Sequence, residues 1–118
     1  MDFSFTEEQE LLAENLVEFM DREYPESLIK ECDEQKIFPV EANKKFYEAG
    51  FGAIGVPEEL GGVPADMVTM CLVTSIVYRY SWAGCTYSPL SIMNAADKAS
   101  PEIRTEMLEG LMLSLIHI

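Results

Sequence analysis

The sequence predicts an all-α domain, an orthogonal or up-down bundle of about five to six helices. Three observations carry that expectation. Apolar residues recur at helical spacing along most of the chain. Helix-start signatures, Thr6 with Gln9 and Ser100 with Pro101, stand where such runs begin. Pro and Gly punctuate the gaps between them. The length of 118 residues suits one domain, and 48% hydrophobic with 25% charged residues suits a packed one.

The first helix is expected over about residues 6–22, opened by a capping box from Thr6 and Gln9. Glu7 and Glu8 sit on its positive end, and Leu12, Leu16, Phe19 and Met20 form its apolar stripe. A second helix over about 25–34 is carried by Leu28, Ile29 and Cys32. Pro39 opens a third, "PVEANKKFYEAG", with Val40, Ala42, Phe46 and Ala49 as its apolar positions and Gly50 as its cap. The stretch "FGAIGVPEELGGVPAD" reads as a structured loop. Val56 is held extended before Pro57, and Gly61-Gly62 permits positive φ.

"ADMVTMCLVTSIVYRY" is apolar almost all round and is expected to be a helix buried on all sides. Its β-branched residues also suit a strand, but its length and the Asp66 start favour helix. "SWAGCTYSP" breaks the chain again. Leu90, Ile92, Met93 and Ala96 then mark a short helix. Ser100-Pro101-Glu102 opens a last one through Ile103, Met107, Leu108 and Leu111.

The net charge is −13, from 21 acidic and 8 basic residues. That argues against a nucleic-acid partner, which needs a positive patch, and against an anionic membrane surface. No apolar run reaches the roughly 20 residues of a membrane span. Cys32, Cys71 and Cys85 are scattered with no metal-ligand spacing, so free thiols in a reducing compartment are expected. The start "MDFSFTEEQE" is acidic and carries no recognisable presequence, so a cytoplasmic location is expected. No dinucleotide-binding or phosphate-loop glycine motif occurs.

The most informative pattern is Asp33-x5-Pro39-x10-Gly50-x6-Pro57-Glu58-Glu59-x-Gly61-Gly62. With "FTEEQELL", "CDEQKIFP", "FYEAGFGAIGVPEELGG" and "SPEIRTEML" in this order, the chain resembles the N-terminal helical domain of acyl-CoA dehydrogenases over about residues 2–112. "ECD" and "VTM" are similar to stretches of the crotonobetainyl-CoA reductase-like branch. The resemblance implies a parent with two further parts, a β-domain and a four-helix bundle, holding FAD between them. It implies α,β-dehydrogenation of an acyl-CoA, with the catalytic carboxylate supplied by a later domain. It also implies electron-transfer flavoprotein as electron partner and a homo-oligomeric parent. Two departures bear on the substrate subclass: "SIVYRYSW" stands where an acidic pair or Glu-Leu is common, and Val63-Pro64 follows the double glycine. Alternatives are an acyl-CoA oxidase or CoA-ester reductase of the same superfamily, or a free-standing helical interaction module.

Several residues invite a functional reading. Glu58 and Glu59 look like a paired-carboxylate acid/base site, but they also read as loop residues ahead of a Gly-Gly turn, and no catalytic role is assigned to them. By position the resemblance implies that Tyr87, Ser88, Leu90, Ser91 and Asn94 line the acyl pocket. Ordinary capping and core packing is the competing reading. Tyr80 and Trp82 read as packing residues rather than a stacking pair, and Met67, Met70, Met93 and Met107 as core filling.

The ending "EGLMLSLIHI" lacks a polar or glycine cap. Leu-Ser-Leu-Ile-His-Ile can be encoded by CTG TCT CTT ATA CAC ATC, a transposase end used as a sequencing adapter. Residues 113–118, including the sole histidine His117, are therefore expected to be a non-native tail. The 118-residue chain is then an inactive N-terminal fragment that retains no FAD.

Overall fold

A computed structural model describes residues 1–80, 87 and 89–112, with backbone alone at 92 and 108–112. Six helices follow in order: α1 Glu7–Glu23, α2 Glu26–Gln35, α3 Val40–Glu48, α4 Met67–Tyr80, α5 Pro89–Lys98 and α6 Pro101–Met112. Among the described residues there is no strand, and the fold is all-α as the helical spacing predicts. None of the described helices is long and apolar enough to cross a membrane. Trp82, Cys85, Ser88 and His117 lie outside the described residues.

The frame is a parallel pair, α1 and α4. The Thr6 hydroxyl accepts from the Gln9 N–H at 3.2 Å, and Gln9 Oε1 accepts from the Thr6 N–H at 3.0 Å, completing the capping box. Gln9 Nε2 donates in turn to Thr69 Oγ1 at 3.1 Å, and the Thr69 N–H donates to Asp66 Oδ1 at 2.8 Å. The caps of both helices are thus joined through one glutamine. At the far end the Tyr80 hydroxyl donates to Asp21 Oδ1 at 2.6 Å. The two ties join residues 60 and 59 apart in sequence, and that nearly constant offset requires helices running the same way at the same rise.

The expectation of a fourth helix buried on all sides does not hold. Met70, Val73, Ile76 and Val77 are buried, but Met67, Val68, Cys71, Ser75 and Tyr78 are exposed. At about 100° per residue these two sets fall on opposite sides, so the helix has one packed and one open face despite its uniform apolarity. α3 also differs in detail. Val40 and Ala49 sit at its ends and are exposed, while Asn43 and Tyr47 join Ala42 and Phe46 on the buried stripe.

Phe46 is the hub of the core. It is fully buried, and its ring lies 6.1 Å from Phe19 of α1, 5.8 Å from Phe51 and 6.4 Å from Tyr87 ahead of α5. The Phe46–Tyr87 contact is edge-to-face, an arrangement the ring quadrupoles favour. Leu16, Met20, Tyr24 and Val77 close around this cluster.

Residues 50–66 form a structured loop, as their composition predicts. Gly50 adopts φ 89° just past α3, a left-handed geometry that ends the helix without a Cβ clash. A parallel bridge joins Ile54 and Val63: the Gly55 N–H donates to the Val63 carbonyl at 2.8 Å, and the Val63 N–H to the Ala53 carbonyl at 3.0 Å. Gly61 takes positive φ as expected. Gly62 does not; it lies against Val56, whose backbone a Cβ there would overlap.

α6 opens on Ser100, whose hydroxyl accepts from the Ile103 N–H at 3.4 Å. Arg104 Nε donates to the Ala96 carbonyl at 2.7 Å, holding α6 against the end of α5. Only part of the methionine set fills the core. Met70 is buried and Met93 half-buried, whereas Met67 and Met107 are exposed because they stand on the open faces of α4 and α6. Cys32 and Cys71 are free thiols, the first buried and the second exposed.

Two expectations follow from this packing. Phe46→Ala removes the hub and is expected to cost about 3–5 kcal/mol, read as a lower urea midpoint. The second concerns Glu23, whose Oε2 accepts from Lys45 Nζ at 3.0 Å and whose Oε1 accepts from Arg22 Nε at 3.1 Å. The Lys45 bond, then the Arg22 bond, hold its carboxyl below the ordinary value of 4.5. A depressed carboxylate contributes stability that is present above its unfolded value and lost as pH falls through the folded one. Lys45→Gln should therefore destabilise by no more than about 1 kcal/mol at neutral pH, since the pair is surface-screened. The gap between variant and wild-type melting curves should close in acid.

Candidate functional site

The start of α5 is built on the 50–66 loop. Tyr87 is 3% exposed, and its hydroxyl donates to the Ile54 carbonyl at 2.9 Å. Burial, with smaller contributions from Tyr47 and Cys71, pushes the phenol well above its ordinary pKa, so the group remains a neutral donor. Pro89, the first residue of α5, is buried beside Gly55. Gly55 has φ 91°, and a Cβ built there would stand 3.2 Å from Pro89 Cβ and collide with the Met70 side chain. Loop, α4 and α5 therefore meet at a point with no room for one more carbon.

Above this foundation Leu90, Ser91 and Asn94 lie along one side of α5, and all three are exposed. Leu90 is 46% exposed, whereas Pro89 and Ala96, on the other side of the helix, are buried. Of the five residues expected to line a pocket, the structure thus brings Leu90, Ser91 and Asn94 together on an open face. It sets Tyr87 beneath them with its hydroxyl engaged by backbone. Such a face offers one apolar contact and two short polar side chains.

The other candidates do not join this face. Glu58 and Glu59 are exposed in the 3₁₀ turn Glu58–Leu60. Tyr80 is committed to Asp21, a bond that raises its pKa above the ordinary value. Sequence reasoning missed Ile54, Gly55 and Met70 as the support of α5, and Arg104 as its tether. The dense glycines of the loop were the available signal, but spacing alone does not say which helix a loop supports.

A flavin dinucleotide needs a setting for its diphosphate. The open depression on α1, lined by Ala13, Glu14, Val17, Glu18, Asp21 and Arg22, sets three carboxylates against one guanidinium. Arg22 is also bonded to Glu23 at 3.1 Å and lies 5.6 Å over the Phe19 ring. That surface does not fit a diphosphate, because like charges repel it.

The profile of the family described as "Acyl-CoA dehydrogenase, N-terminal domain" matches residues 6–113. The chain is 44% identical over 72 residues to the "Probable acyl-CoA dehydrogenase YdiO" of Escherichia coli strain K12, covering 61% of this chain and 19% of the relative. The proteins of the same name from E. coli O6:H1 and O157:H7 match with the same identity and coverage. The matched stretch is thus about a fifth of the length of these relatives. No solved structure matches the chain.

Proposed function

Because the chain belongs to the acyl-CoA dehydrogenase family through its N-terminal helical domain, we propose that it is the acyl-binding part of a longer flavoenzyme that oxidises acyl-CoA thioesters between Cα and Cβ. The observation that carries this reading is the exposed Leu90, Ser91 and Asn94 face within a domain of that family. The family is generally FAD-dependent; FAD supplies the hydride acceptor when bound. The residues of this chain contribute differently. Leu90 excludes water from the acyl chain, and Ser91 and Asn94 present polar groups towards the thioester end. No proton-transfer role falls to Glu58 or Glu59, which stand in an exposed turn. Electron-transfer flavoprotein as acceptor, a homo-oligomeric parent and a cytoplasmic location complete the reading.

The open faces of α4 and α6 fit the same picture. Met67, Val68 and Tyr78 on α4, with Ile103 and Met107 on α6, are between 40% and 55% exposed. Contacts between domains bury roughly 600–1,500 Å², and these stripes are the surface we assign to them. Alone, the chain should associate with itself, seen as a concentration-dependent rise in sedimentation coefficient; a monomer across the range would count against the assignment.

The functional test uses the full-length enzyme and a series of acyl-CoA chain lengths with an artificial electron acceptor. Leu90→Ala is expected to lower kcat/KM for the preferred chain by about tenfold, chiefly through KM. An unchanged chain-length profile would remove α5 from the acyl pocket. The isolated chain should purify colourless and inactive, and stoichiometric flavin absorbance would overturn that part of the reading.

A further inference from the structure

Tyr87 and Gly55 meet beneath α5 in an arrangement that exceeds what packing a loop requires. The Tyr87 hydroxyl is buried and donates to the Ile54 carbonyl at 2.9 Å, tying the residue two before α5 to the loop. One residue further along the loop, Gly55 lies so close to Met70 and Pro89 that an added Cβ would stand 2.5 Å from Met70 Sδ and 3.2 Å from Pro89 Cβ. The Tyr87 ring is edge-on to Phe46 at 6.4 Å, so it cannot tilt without disturbing the hub. A hydrogen bond on one side and a steric stop on the other therefore fix where α5 begins. Leu90 stands three positions after Tyr87, in the first turn of α5. A shift at Tyr87 is thus carried to the Leu90, Ser91 and Asn94 face with little loss.

We propose that Tyr87 is a positioning residue which, with Gly55 as its stop, sets the standing of the α5 face and thereby the acyl-chain length the enzyme prefers. This rests on the assignment of that face to the acyl pocket. Tyr87 need not touch the substrate; it acts through Leu90. Losing its hydroxyl leaves the Ile54 carbonyl buried without that donor, and the start of α5 is freed to move. A looser wall accommodates neighbouring chain lengths more equally. A methyl group at Gly55, strained there by φ 91°, collides with Met70 and crowds Pro89, and so displaces the same wall through the loop and α4.

The test compares variants of the full-length flavoenzyme across the acyl-CoA series. Tyr87→Phe should reduce the kcat/KM ratio between the preferred chain and its nearest neighbours by about tenfold, with KM moving more than kcat. FAD content should be retained. Gly55→Ala should flatten or shift the same profile while keeping the Tyr87 hydroxyl. Ile76→Val, a core truncation on α4, serves as the purely structural comparison and should leave the profile as in wild type. A Tyr87→Phe profile that superimposes on wild type, while Leu90→Ala changes it, would overturn this proposal alone. Unchanged profiles in both would overturn it together with the pocket assignment. A change in Ile76→Val equal to that in Tyr87→Phe would reduce Tyr87 to ordinary core.

Discussion

The buried ring of Phe46 is the contact on which the rest of the domain depends. It is the one side chain that meets α1 through Phe19, the loop through Phe51 and the start of α5 through Tyr87. A chain this short buries a modest fraction of its surface, so it gains from making one cluster serve several elements. Aromatic rings suit that role because each presents a large apolar area with few rotatable bonds. Phe19 also contacts Phe51 edge-on at 5.2 Å, so the cluster closes on itself rather than running as a line. Displacing any one ring is then felt by three elements at once.

The second constraint is polar and lies at the edges. α1 and α4 are pinned at both ends by side-chain bonds, Gln9 to Thr69 and Tyr80 to Asp21. Hydrophobic packing between two helices tolerates sliding, because one ridge resembles the next. Two directed bonds, placed at Gln9 and Asp21 on α1 and at Thr69 and Tyr80 on α4, do not. They set the register in which Val73, Ile76 and Val77 meet Leu16, Phe19 and Met20. The loop and α5 inherit that register, since Met70 of α4 forms one wall of the Gly55 site.

Much of this was legible in the residues. Thr6 and Gln9 announced the first helix because a capping box is a local device whose partners lie three residues apart. Ser100 and Pro101 did the same for the last. The order and spacing of the stretches from "FTEEQELL" to "SPEIRTEML", with the pattern Asp33 to Gly62 among them, pointed to the family, which the match over residues 6–113 establishes. The exposed face of α4 was not legible. An apolar helix reads the same whether its far side meets this chain or something else, and periodicity carries no record of the partner. Nor was the support of α5, since the Tyr87 and Ile54 bond spans 33 residues. The expected site residues divided along this line: Leu90, Ser91 and Asn94 share a helix face by local geometry, whereas the burial of Tyr87 depends on a distant loop.

The same division between local and distant contacts runs through α5. Leu90 of α5 is left open although burying it would add stability. The helix is anchored on its other side. Tyr87, Pro89 and Ala96 are all buried, and Arg104 ties the far end of the helix to α6. α5 is therefore fastened at its start by a phenol and at its end by a guanidinium, each bonded to a backbone carbonyl rather than to another side chain. Backbone acceptors belong to the fold and do not titrate, so the helix is held by bonds whose strength is insensitive to pH across the physiological range. A face fixed in that way holds Leu90, Ser91 and Asn94 in constant positions on α5.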